Sequence, residues 1–312
     1  MNGAEPASWT EVVKVYKRLL ILLLILAVGA LAAGCSGLGS VSGGKELTLG
    51  YIVWDENVAV STLTKVLLEE ELGYERVELQ RTDEAVVKQV FRGVAEGNLD
   101  AFQDVWIPNQ KKYLREVRND VEHLDPWFEG MTAQGIAVPY YMDIYSLPEL
   151  DKAGTDMIIG IEPGSAFHPQ IKNVVIPGYD LDMKLVESST PAMLSELEKA
   201  YEMREPIVFF GWSPHWMNAR YDFRYLEDPK DLLGGFNDSA QISSIVNDNL
   251  PNDDPTAYAF LKAISLNEEQ VNQMEADINE AGDPEKGVKA WLEDNRDVVQ
   301  PWIDAAKKAR EA

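Results

Sequence analysis

From Glu46 onward the chain alternates short apolar runs with amphipathic stretches, and this alternation limits the fold more than any other feature. Residues 47–54 read as a buried strand, 60–72 as an amphipathic helix closed by Gly73, and 76–79 as a second strand. Residues 83–96 continue as a helix stopped by Gly97, and 99–106 form a third strand. The order is βαβαβ. Such units build a parallel sheet with helices on its faces, and ligands bind beyond the carboxyl ends of the strands. Trp54 and Trp106 both stand at such ends.

A second series begins near Thr132, with strands expected over 133–138, 157–161, 184–187 and 207–210. Thr190 followed by Pro191 marks a helix start, with a capping residue and a proline at the first position. From about Asp254 the pattern is helical. Asn267 to Gln270 resembles a capping box, and Trp291 and Trp302 are spaced along the last amphipathic stretch. Two α/β lobes and a helical tail account for the length.

The segment ahead of Glu46 reads as an address. Lys14, Lys17 and Arg18 stand before residues 19–33, fifteen residues without a charge. That is the h-region of a signal peptide, short of the about 20 apolar residues a spanning helix needs. The run leads into Leu31-Ala32-Ala33-Gly34-Cys35-Ser36-Gly37, a string similar to a lipobox, and Cys35 is the chain's only cysteine. A signal peptide over 1–34, lipidation at Cys35 and a flexible Gly/Ser tether over 35–45 are therefore expected.

The 52 acidic and 28 basic side chains leave a net charge of −24, and −25 once residues 1–34 are removed. A polyanionic partner such as nucleic acid is disfavoured. One cysteine forms no internal disulfide, and His123, His168 and His215 have no companion cysteine at zinc-ligand spacing. Neither a metal nor a cofactor is implied.

Trp54 lies between Gly50-Tyr51-Ile52-Val53 and Asp55-Glu56-Asn57, a large aromatic beside polar residues at a strand's end. Trp106 repeats this ahead of Ile107-Pro108-Asn109, and Trp212 repeats it ahead of Ser213-Pro214-His215-Trp216. One such tryptophan is ordinarily a core anchor. Three across two lobes point to a shared cleft, where indole faces box a quaternary ammonium at roughly 0.5–2 kcal/mol each. Gly160-Ile161-Glu162-Pro163-Gly164-Ser165-Ala166-Phe167 runs from a strand into a Pro-Gly turn whose free backbone N–H groups suit an anion. Together they suggest a zwitterion. The enzyme alternative is a secreted hydrolase with two carboxylates across an aromatic cleft, drawn from Asp55, Glu56, Asp104 and Glu162. The Ser213/His215 and Ser165/His168 neighbours sit in no Gly-x-Ser-x-Gly elbow.

Four strings in order, Gly50 to Asp55, Val105 to Asn109, Gly160 to Gly164 and Gly211 to Met217, with Arg220-Tyr221 and Tyr225 to Lys230 after them, carry a resemblance. The chain resembles the glycine betaine and choline substrate-binding lipoproteins of ABC transporters. The resemblance implies a two-lobed type II periplasmic-binding-protein fold, each lobe a mostly parallel sheet flanked by helices. Lobe I would comprise residues 46–137 and 240–312 and lobe II residues 138–239. It implies a cage of Trp54, Trp106 and Trp212, a ligand carboxylate on the amides of Ala166 and Phe167, and no catalysis. Where family members carry a histidine, five residues past the second tryptophan, this chain has Lys111, a candidate carboxylate contact. The implied partners are a small quaternary ammonium ligand, glycine betaine first and choline second, an ABC permease with its ATPase, and a membrane reached through the lipid anchor. A monomer is expected.

Overall fold

The computed structural model describes residues 44–81, 87–236 and 239–311. Cys35, the leader and all but the last two tether residues lie outside this range. The chain forms an α/β molecule with two five-stranded sheets.

The first sheet contains β1 (Lys45–Tyr51), β2 (Tyr74–Arg81), β3 (Ala101–Ile107) and β4 (Val121–His123). Helices α1 (Asp55–Glu71), α2 (Val87–Ala95) and α3 (Lys111–Val117) connect or follow these strands. Strand β1 runs parallel to β2 and β3. All residues of β3 except Ile107 are buried, as a central strand covered on both faces should be. Helix α1 buries Ala59, Val60, Leu63, Val66 and Leu67, the i, i+3, i+4 stripe that docks it on the sheet. It starts five residues before the expected helix. Strand β1 ends at Tyr51, and Trp54 is the N-cap residue of α1, so the first cleft tryptophan sits on a strand-to-helix turn rather than in a strand.

A two-residue strand, β5 (Phe128–Glu129), precedes the crossing to the second sheet, which contains β6 (Ala133–Pro139), β7 (Met157–Ile159), β8 (Lys184–Val186), β9 (Val208–Ser213) and β10 (Phe223–Tyr225). Their order is β10-β6-β9-β7-β8, with β6 antiparallel to β9 and β10 and with β7 parallel to β8 and β9. Because β6 pairs with β9 from Ala133 onward, the boundary expected at 137/138 cuts through a strand of the second sheet. Helices α4 (Phe167–Gln170) and α5 (Thr190–Met203) belong to this half. The N-cap of α5 is Ser189, one residue ahead of the expected Thr190, which instead donates its N–H and hydroxyl to the Glu162 carboxylate at 2.6 and 2.9 Å.

The chain then returns to the first sheet as β11 (Gln241–Asn247), inserted antiparallel between β3 and β4. Helix α6 (Pro255–Ala263), strand β12 (Leu266–Asn267) paired with β5, and helices α7 (Glu268–Ala281), α8 (Pro284–Asp294) and α9 (Arg296–Glu311) complete it. Asn267 and Gln270 form a reciprocal capping box, with bonds of 2.9 and 2.8 Å. Trp291 and Trp302 are buried on separate helices, α8 and α9. Among the described residues no helix is long and apolar enough to cross a membrane.

Candidate ligand-binding site

Turns and strand ends from both sheets converge on one cavity of about 490 Å³, part of it open to solvent. Trp54 from the β1–α1 turn, Trp106 from β3 and Trp212 from β9 line it, together with Ala166 and Phe167 at the start of α4. Strand β3 stops at Ile107, where Pro108 removes a ladder donor, and this leaves Trp106 one residue from the strand's end. Phe167 and Phe210 pack against each other in the wall with their rings tilted and centroids 4.0 Å apart, and Phe210 stacks on Trp212 at 5.7 Å. Lys111 is exposed at the start of α3 and is not among the lining residues. That side of the cavity is formed instead by Asn109, Gln110 and Tyr113.

Each of the three cavity indoles donates its N–H to a carboxyl oxygen. Trp54 Nε1 donates to Glu162 Oε2 (3.1 Å), Trp106 Nε1 to Asp104 Oδ1 (2.7 Å) and Trp212 Nε1 to Glu56 Oε2 (3.1 Å). The first and third bonds join the two halves. More polar ties cross beside them: Trp216 Nε1 donates to Asp55 Oδ1 (2.8 Å), Trp216 N to Glu275 Oε2 (2.8 Å), and Ser213 Oγ to Glu268 Oε1 (2.6 Å). Asn109 Nδ2 donates to Gln134 Oε1 (2.8 Å), another bond between the halves. The Met217 amide donates to His215 Nδ1 (3.0 Å), so the ring's proton is on Nε2, which faces Asp55 Oδ2 at 3.0 Å. The residue pairs considered for nucleophilic chemistry are therefore engaged elsewhere: Ser213 with Glu268, His215 with Asp55, and Ser165 Oγ as acceptor of the Phe167 amide (3.3 Å).

Glu56, Asp104 and Glu275 are 2%, 0% and 1% exposed, deep enough for burial to govern their ionisation. Burial, with Asp104 and Glu275 close by, holds Glu56 well above the ordinary carboxyl range. Burial pushes Asp104 up to about 7, against the pull of the Trp106 N–H. Burial and the Asp55 charge raise Glu275 in the same way. Burial also pushes Asp55 upward, but the adjoining His215 ring and the hydrogen bonds from His215 and Trp216 outweigh it, so this carboxyl falls below its usual value.

Sequence reasoning missed Asn109, Gln110, Tyr113, Gln134, Phe210 and Phe236 as cavity residues. Asn109 lies within a quoted string and Phe210 directly before another, but proximity to a cleft tryptophan does not say which neighbour points inward. Glu56 was named only as a possible hydrolytic carboxylate, and it too lines the cavity.

Two mixed sheets meeting at an aromatic cavity, with the chain crossing between them twice, define the type II periplasmic-binding-protein fold. The structure is similar to lactococcal OpuAC in its closed-liganded conformation complexed with glycine betaine, with 32% identity and a TM-score of 0.73 over 83% of this chain and 99% of that one. It is also similar to an ABC-transporter choline binding protein in complex with choline, with 25% identity and a TM-score of 0.73 over 85% and 97% of the two chains. In sequence it is 36% identical over 154 residues to the glycine betaine/carnitine transport binding protein GbuC of Listeria monocytogenes. That match covers 48% of this chain and spans about half, 50%, of the relative's length. The family model for the substrate binding domain of ABC-type glycine betaine transport systems, OpuAC, matches residues 45–294. The chain belongs to the OpuAC family.

Proposed function

We propose that this protein is the extracytoplasmic substrate-binding component of an ABC importer and that it captures glycine betaine or a closely related quaternary ammonium compound without chemical change. The observation that carries this reading is the single cavity lined by Trp54, Trp106 and Trp212. Indole faces attract a cation that cannot donate hydrogen bonds, because their quadrupoles stabilise charge without needing an acceptor atom. A trimethylammonium group is such a cation. Its carboxylate would rest on the amides of Ala166 and Phe167, the latter held only by the long 3.3 Å bond to Ser165 Oγ.

Binding closes the two halves. Trp54 and Trp106 belong to the first and Trp212, Ala166 and Phe167 to the second, so a ligand touching both favours the closed form by its differential affinity. The closed protein would then dock on a permease driven by a cytoplasmic ATPase, held at the membrane by a lipid on Cys35. The choline reading is favoured by a separate observation: the side-chain amides of Asn109 and Gln134 at the cavity wall are neutral partners suited to a hydroxyl as well as to a carboxylate.

Titration calorimetry with glycine betaine, proline betaine, carnitine, choline and ectoine tests the proposal. Saturable binding of a quaternary ammonium compound, recovered unchanged afterwards, is the expected result. Binding of none of them, or consumption of the bound compound, would refute it.

A further inference from the structure

Each cage indole has a carboxylate behind it. Glu162 is anchored by both donors of Thr190, Asp104 sits two residues before its own tryptophan, and Glu56 lines the cavity itself. Among the described residues no lysine or arginine pairs with Glu56, Asp104, Glu162 or Glu275, and the imidazole nearby, His215, faces Asp55. Two carboxylate oxygens, Asp104 Oδ2 and Glu275 Oε1, are buried with no hydrogen-bond partner at all. Buried together without a protein cation, several acids either keep their protons or ionise only when another positive charge shares the site.

We propose that Glu56, Asp104 and Glu162 are positioning residues of the cage, which hold the three indoles in register and, releasing to solvent any proton they carry in the ligand-free protein as the cation enters, supply the negative field that selects a permanently cationic ligand over a neutral group of the same shape. The inference rests on the quaternary ammonium reading above and adds where the selectivity comes from. A carboxylate accepting an indole N–H pushes electron density toward the ring face and strengthens its attraction for a cation. In a water-poor cavity the carboxylates also act on the cation directly. Two of the three bonds, Trp54–Glu162 and Trp212–Glu56, join opposite halves, so closure both orients the rings and completes the field.

The test compares glycine betaine with 3,3-dimethylbutanoate, its carbon isostere, which keeps the shape and carboxylate but lacks the cation. Glu56→Gln, Asp104→Asn and Glu162→Gln keep an oxygen that accepts the indole N–H while removing the charge. With the full-length protein in detergent, each variant should bind glycine betaine at least tenfold more weakly and the isostere more tightly. A purely structural role would weaken both ligands together or neither, and either pattern would overturn the proposal. Should a variant fail to fold, the wild type still decides: it must prefer glycine betaine over the isostere by at least a hundredfold, and any smaller preference would overturn the inference. A wild type that binds quaternary ammonium compounds without this preference sinks the charge argument and leaves the functional reading standing. One that binds none of them sinks both.

Discussion

Replacing Trp212 by alanine probes the cage at its best-connected wall. The indole is buried, stacks on Phe210 and contributes its N–H to Glu56 across the halves. A desolvated indole face contributes about 2 kcal/mol toward a cation. Truncation also leaves the Glu56 oxygen without its donor, at about 1–3 kcal/mol for an unsatisfied buried acceptor. The sum of about 3–5 kcal/mol corresponds to a loss of affinity of roughly two to three and a half orders of magnitude. Trp212→Phe keeps an aromatic face and loses only the N–H, so its loss should be the smaller, nearer the about 1–3 kcal/mol of the orphaned acceptor. Calorimetric titration with glycine betaine measures both, with circular dichroism confirming that the variants remain folded. The reasoning fails if Trp212→Ala, and likewise Trp54→Ala and Trp106→Ala, bind with unchanged affinity, or if phenylalanine costs as much as alanine.

Changing Cys35 to serine should release the protein from membranes or leave its leader uncleaved; a wild-type protein recovered soluble, with an unmodified thiol by mass spectrometry, would contradict lipidation. The net charge of −24 should make the melting temperature rise steeply from low to molar sodium chloride, because a Debye length of about 3 Å at 1 M screens self-repulsion. Betaine affinity should change little over the same range, and a flat or falling melting temperature would remove this explanation of the acidity. The raised carboxyls of Glu56, Asp104 and Glu275 set a pH dependence. Each holds its proton in the folded protein where the unfolded chain has lost it, so their contribution is present below about pH 4 and is lost as pH rises toward and past 7. At fixed salt the ligand-free protein should melt at a higher temperature at pH 5 than at pH 8, and the opposite order would show that these carboxyls are ionised throughout.

The alternation of apolar runs in residues 47–106 was enough to place β1, β2 and β3 and the two helices joining them, because strand and helix periods are local properties of the chain. The same holds for the capping box at Asn267 and Gln270, which satisfies its donors within four residues. Aromatic residues at strand ends singled out Trp54, Trp106 and Trp212, and polarity beside them marked the cleft. Local pattern did not reveal that Trp54 caps a helix, that β6 starts the second sheet at Ala133, or that β11 inserts between β3 and β4 from 118 residues beyond the latter's end at His123. Nor did it assign Glu162 to Trp54 or Glu56 to Trp212, partners 108 and 156 residues apart. An acidic side chain looks the same in sequence whether it faces water or an indole N–H. Only the apposition of the two sheets and the helices on them excludes water from Glu56, Asp104 and Glu275, and that exclusion raises ordinary carboxyls far enough to keep their protons beside an aromatic cavity.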